Sequence, residues 1–301
     1  MKSTLVAAAL AAGFIAAAQA QATHDTLAKI KDTGSVTMGV RESSGALSYT
    51  LGDGKYAGFH VELCQRALAD IQKKLGLAKL DIKYQPVTSQ NRIPLVANGT
   101  VDIECGSTTN NLARAKDVAF AVTTYVEEVR IAVKANSGIT SINQLNGRTV
   151  ATTTGTTSVQ TLRKNKRAEG LDFKEVTGKD HADSFLLLEA GRADAFVMDG
   201  SILAANIARA KNPKDFAIVG ETLSVEPIAC MLPKGDAKLK KAIDDSIVRQ
   251  IKDGSLAKLY DKWFMQPIPP NNVKVGLPLS EATKEAWAHP NDKPMEAYEV
   301  K

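Results

Sequence analysis

"LVANGTVDIECGS", residues 95–107, and "LLEAGRADAFVMDGS", residues 187–201, share one plan. Each reads Leu, three residues, Gly, two residues, Asp, an apolar run and then Gly-Ser. The glycine ends a helical pattern, and the apolar run after it has the length of a buried strand. The match is short and on its own a weak sign of duplication. What lies on either side extends it. "SVTMGV" (35–40) alternates as a strand, and "AGFHVELCQRALADIQKKLG" (57–76) spaces Val61, Cys64, Leu68, Ile71 and Leu75 as an amphipathic helix stopped by Gly76. "LDIKYQPV" (80–87) is a strand, "QNRIPLVANG" (90–99) a short helix and "VDIEC" (101–105) a strand. The order repeats from about residue 148: strand "RTVATTT", helix "GTTSVQTLRKN", strand "FKEV", helix "DHADSFLLLEAG", strand "ADAFVMD", helix "GSILAANIARAKN". Alternating β and α predicts two α/β lobes with largely parallel sheets. A further strand, "IACMLPK" (228–234), an amphipathic helix over 239–260 and the Pro-rich "PIPPNN" follow. The returning chain suggests a hinge and a cleft.

The chain has 301 residues and a net charge of +5 with acids and bases interspersed. It has no long basic run and few aromatics, which argues against nucleic acid as a partner. Residues 1–20 combine Lys2, an apolar stretch over 5–18 and the small-residue site Ala18-Gln19-Ala20. That is the layout of a secretory signal cleaved after Ala20. The apolar stretch is short for a membrane span, and no later segment reaches about 18 apolar residues. The three cysteines, Cys64, Cys105 and Cys230, are too few for a disulfide scaffold. In an oxidising compartment they suggest one bridge and one buried thiol.

Ligands of open α/β sheets bind beyond the carboxyl ends of the strands. Just past those ends stand Arg41; Ser89, Asn91 and Arg92; Ser107 to Arg114; Thr154 to Ser158; His181; and Asp199. Enzyme motifs fail on spacing. There is no G-x-x-x-x-G-K-[ST], no G-x-S-x-G around Ser107 or Ser158, and no H-E-x-x-H among His24, His60, His181 and His289. "LGDGKYAG" (51–58) lacks dinucleotide-fingerprint spacing and reads as a hairpin turn. No cofactor or metal is expected. Recognition remains. A helix N-terminus at residues 155–158 offers N–H groups to an anion, arginine grips carboxylates bidentately, and a lone Asp suits an ammonium group. Two anions and one cation are the charges of an acidic amino acid.

The stretches "GVRESS", "TSQNRIPLVANGT", "ECGSTTNN", "TTGTTS", "KDHADSF", "VMD" and "DKWFMQPIPP" occur in order over most of the chain. In them the sequence resembles the periplasmic solute-binding proteins of polar amino acid ABC transporters, and within these the glutamate/aspartate-binding subgroup. The resemblance implies the two-lobed type II periplasmic binding fold. Its first lobe would comprise residues 21–125 and 228–275, its second 126–227, with 276–301 peripheral. It implies that Arg114 and the Thr157 backbone hold a ligand α-carboxylate, and that Asp199, Ser107 and Thr109 hold the α-ammonium. Arg41, Ser89, Arg92 and His181 would hold the side-chain carboxylate. The stretch after Arg41 departs from the subgroup, with Leu47 and Tyr49 where an aromatic often follows more closely. The family arrangement places Cys105 and Cys230 on strands of the first lobe, so a Cys105–Cys230 bridge is expected, with Cys64 a packed thiol. The implied protein is a monomeric receptor delivering glutamate or aspartate to an inner-membrane ABC permease from the periplasm. Two alternatives stand beside it. A cyclohexadienyl dehydratase-like enzyme on the same fold would need a general acid and an aromatic-sized pocket. A sensor domain would need signalling segments in the same chain.

Overall fold

The computed structural model describes residues 24–298; the expected export signal and its cut after Ala20 lie outside them. The chain opens with α1 (Thr26–Thr33) and β1 (Ser35–Val40). The short strands β2 (Ser43–Ser44), β3 (Ser48–Gly52) and β4 (Lys55–Ala57) follow, with the β3–β4 hairpin where "LGDGKYAG" suggested a turn. Then come α2 (Phe59–Lys74), β5 (Asp81–Pro86), α3 (Arg92–Ala97), β6 (Ile103–Glu104) and β7 (Val118–Phe120). A second group begins at β8 (Tyr125–Lys134). It continues through β9 (Thr149–Thr153), α4 (Thr157–Ala168), β10 (Lys174–Gly178), α5 (His181–Glu189), β11 (Ala195–Asp199), α6 (Gly200–Arg209) and β12 (Phe216–Ile228). β13 (Met231–Pro233) rejoins the first group, and α7 (Ala237–Lys252), α8 (Ser255–Tyr260) and α9 (Glu281–Ala288) close the chain.

The two groups build two five-stranded sheets, in the orders β5-β1-β6-β13-β7 and β10-β9-β11-β8-β12. In each, three neighbouring strands run parallel, the fourth is antiparallel and the fifth runs with the first three. The sheets share one topology, and β6 and β11, the strands of the duplicated motif, hold the same central place. The repeated residues also do the same work. Gly99 and Gly191 take φ of +77° and +69° just past α3 and α5, a left-handed turn that side chains resist. Asp102 Oδ2 accepts the backbone N–H of Thr37 at 2.8 Å, and Asp194 Oδ2 accepts that of Thr149 at 2.8 Å. Each aspartate therefore ties its strand to the neighbouring parallel strand, β1 or β9.

Both sheets are covered by helices, and β11 is apolar on both faces. On β11, Ala195 and Val197 pack with Val129, Ile131 and Leu162 on one side, while Phe196 and Met198 pack with Phe185 and Ile202 on the other. In the first sheet α2 buries Phe59, Leu63, Leu68 and Ile71, each contributing about 1.5–3 kcal/mol. The amphipathic run over 239–260 is broken at Gly254 into α7 and α8.

One expectation is corrected. The disulfide joins Cys64 to Cys105, and Cys230 is the buried free thiol. β13 lies antiparallel to β6 with Met231 opposite Glu104, which sets Cys230 beside Cys105. However, α2 covers these strands and directs Cys64 between them, with Sγ 3.3 Å from Cys230 Sγ. Alkylation of the denatured, unreduced protein should label Cys230 alone, and peptide mapping should recover the Cys64–Cys105 link. Label on Cys64 would overturn this pairing. The segment from 276 on packs against the body of the protein through α9. Thr283 and Trp287 of α9 are buried, with Thr283 Oγ1 accepting the Val126 N–H and Trp287 Nε1 donating to the Thr124 carbonyl. Asn291, Asp292 and Met295 bond Thr123 and Asn110. A four-residue spacing lets two residues of a short polar helix face inward together, so α9 braces the point where the chain crosses between the sheets.

Candidate functional site

Parallel strands deliver their carboxyl ends to one edge of a sheet, and here the two edges face each other. β1 ends before Arg41, β5 before Ser89 and Arg92, and β6 before Ser107, Thr109 and Arg114. β9, β10 and β11 end before Thr157, His181 and at Asp199. All nine expected residues are buried, Arg41 at 0 % and Arg92 at 2 % exposure. Between the edges lies a narrow gap lined by Ser89, Arg92, Ser107, Thr109, Thr156, Thr157, His181, Met198 and Asp199. Arg41 and Arg114 flank it through contacts with these residues.

Arg41 donates to Ser89 Oγ at 2.9 Å and to Ser107 Oγ at 3.4 Å, and reaches across the cleft to Asp180 Oδ1 at 2.9 Å. Its guanidinium also meets His181 Nε2 at 3.2 Å, while His181 Nδ1 lies 3.1 Å from Thr153 Oγ1. Burial and the Arg41 charge push the His181 pKa down to about 3. His181 is thus a neutral imidazole that accepts from Arg41 and donates to Thr153. Arg92 donates to the Ser107 carbonyl at 3.0 Å; burial and the like charges of Arg114 and Arg41 push its pKa well down. The Nε atoms of Arg41 and Arg92 are buried and have no acceptor among the described residues. A buried donor of this kind calls for an anionic partner. Arg114 donates to the Thr109 carbonyl at 2.9 Å and across the cleft to the Gly155 carbonyl at 3.4 Å.

Negative groups gather opposite. Burial lifts the Asp199 carboxyl well above its ordinary value, and the charges of Glu127 and Glu226 add to the lift. Burial likewise pushes Glu127 up to about 7, against the Ser201 N–H and hydroxyl that it accepts. A cation set among these acids would reverse the push on Asp199.

Other residues between Ser107 and Arg114 serve the scaffold. Thr108 Oγ1 donates to Glu104 Oε2 at 2.6 Å, Asn110 holds the C-terminal segment, and Asn111 Oδ1 accepts the Arg114 N–H. Leu47 and Tyr49 do not line the space; Tyr49 donates to the Pro269 carbonyl and lies under the Arg209 guanidinium. Sequence reasoning missed Asp180, Glu127 and Glu226. Only Asp180 carried a signal, since it directly precedes His181 at the same strand end. Among the described residues the one cluster of metal-ligand type is the cysteine trio, two of which form the disulfide.

The family described as bacterial extracellular solute-binding proteins, family 3, matches residues 36–266. An L-glutamate/L-aspartate-binding protein of Pseudomonas aeruginosa is 43% identical over 98% of this chain and 97% of its own length. A glutamate/aspartate import solute-binding protein of Escherichia coli is 41% identical, with 97% of each chain covered. The solved L-cysteine solute receptor of Neisseria gonorrhoeae superposes with a TM-score of 0.71 at 28% identity, covering 85% of this chain and 99% of that one. The fold is therefore the two-lobed architecture of the extracellular amino acid receptors.

Proposed function

The chain belongs to the bacterial extracellular solute-binding proteins, family 3, and from that premise we propose that its cleft captures L-glutamate or L-aspartate for an ABC importer. One observation carries the reading: buried Arg92 and Asp199 line one small space between two sheets, and the buried guanidinium groups of Arg41 and Arg114 bond residues of its lining. Arg114 and the N–H groups opening α4 at Thr157 hold the α-carboxylate. Asp199, Ser107 and Thr109 take the α-ammonium. Arg41, Ser89, Arg92 and His181 hold the side-chain carboxylate. His181 acts on that carboxylate through Arg41, whose guanidinium it accepts at Nε2 and so orients. The names of the three relatives above 40% identity, each a binding protein and two of them import proteins, support import rather than catalysis. The dehydratase-like alternative asks for an aromatic-sized pocket, and this space is small and mostly polar in its lining.

In this reading residues 21–125 and 228–275 form one lobe and 126–227 the other. They close about the crossings near 125 and 228 as the ligand binds both. The receptor works as a monomer in the periplasm, after removal of its signal at Ala20, and presents its closed form to an inner-membrane permease. Titration calorimetry against an amino acid panel, with scattering in parallel, tests this. Glutamate and aspartate should bind tightly, with a smaller radius of gyration at saturation. Equal affinity for neutral amino acids, or turnover of a prephenate-like acid, would overturn it.

A further inference from the structure

Glu226 is fully buried on β12, opposite Glu127 of β8, and does not line the cleft space. Its Oε2 accepts the hydroxyl of Thr109 at 2.6 Å and that of Thr157 at 2.6 Å. These threonines come from opposite sides of the cleft and lie 3.2 Å apart, oxygen to oxygen. Its Oε1 accepts the Ser224 hydroxyl at 2.9 Å. Each threonine hydroxyl has a single proton. A carboxylate at 2.6 Å takes that proton in preference to a neutral oxygen at 3.2 Å, because the charge-assisted bond is shorter and stronger. Both protons therefore point away from the cleft, and both oxygens turn only lone pairs toward it.

We propose that Glu226 is a positioning residue for ligand selection: it fixes the Thr109 and Thr157 hydroxyls as acceptors, so that the closed cleft favours a ligand carrying a protonated amine. This rests on the assignment of the cleft to an amino acid and adds the group that sets the polarity of its ammonium end. Without Glu226 a threonine hydroxyl is free to turn its proton toward the ligand, which opposes an ammonium and welcomes an anion. An apolar side chain at 226 would change packing as well as polarity, so the informative substitution keeps shape. Gln offers one oxygen and one N–H₂. Its N–H₂ donates to one threonine and releases that hydroxyl's proton into the cleft.

Glutarate carries the two carboxylates of glutamate and no amine, so competition calorimetry with both ligands isolates the amine. In Glu226→Gln the glutamate affinity should fall about tenfold or more, while that of glutarate holds or rises, and the preference for glutamate over glutarate should shrink by at least the same factor. Equal weakening of both ligands would mean a structural role only, and an unchanged preference would likewise overturn the proposal. Thr109→Val, which removes the acceptor and leaves Glu226 in place, gives an independent reading should Glu226→Gln not fold. It too should shrink the preference, and a preserved preference would overturn the proposal. Failure of the wild-type protein to bind either ligand would count instead against the acidic amino acid reading itself.

Discussion

Arg92→Ala should lower the affinity for glutamate and aspartate by roughly thirty- to several-thousand-fold, because a desolvated carboxylate that loses its charged partner costs about 2–5 kcal/mol. The same variant should leave any faint binding of glutamine or asparagine nearly unchanged, since an amide strands no charge. Arg92 has little else to do. Among the described residues its side chain bonds the Ser107 carbonyl and leaves Nε unpartnered, and it lies in the repulsive field of Arg114 and Arg41. The thermal midpoint without ligand should therefore hold or rise, while the upward shift that glutamate gives is lost. Arg114→Ala should behave differently and weaken every amino acid, because all of them carry the α-carboxylate. Arg41→Ala should follow Arg92→Ala in selectivity but cost stability in the closed form, since it also strands the buried side of Asp180. Calorimetry with glutamate, aspartate, glutamine and asparagine separates the three patterns. A loss of less than threefold for glutamate in Arg92→Ala would refute the side-chain assignment.

The arginines were legible in the sequence because position after a strand is a property of local pattern. Period-two and period-3.6 runs place the strands and helices, and parallel order brings their carboxyl ends to one edge. The repeated Gly and Asp of the central strands were legible for the same reason, though their work is structural. What escaped depends on distant partners. Glu226 stands 117 residues from Thr109 and reads like any strand acid until burial brings the two together. Glu127 follows Val126 on a strand whose alternation gives no hint that both of its faces are covered. The cysteine pairing failed on a helix placement. Neighbouring strands made Cys105 and Cys230 a natural couple, but the height of α2 above the sheet decides which sulfur Cys105 meets. α9 was missed because two inward residues in a polar run carry almost no periodic signal.

Gly155→Ala should uncouple binding from folding. Gly155 sits between β9 and α4 with φ of +81°, and a Cβ there would lie 2.8 Å from the Gln90 Cα, from the Gln90 N and from the Ser89 carbonyl carbon. Those atoms are backbone on the other side of the cleft, so no rotamer change relieves the contact. The substitution has two costs that arise at different points. The left-handed φ costs about 1 kcal/mol in every folded state, open or closed. It should appear as a modest drop in the thermal midpoint without ligand. The steric cost exists only when the lobes meet, and overpacking of this kind runs to about 1–3 kcal/mol. It should appear as a loss of roughly ten- to a hundredfold in glutamate affinity, with less compaction on binding by scattering. The Arg114 bond to the Gly155 carbonyl would lengthen with it. Gln90→Ala is the matching control. It removes the side chain but not the backbone atoms that oppose position 155, so it should bind glutamate like the wild type. Wild-type affinity and full compaction in Gly155→Ala would show that these two backbones do not meet in the closed receptor.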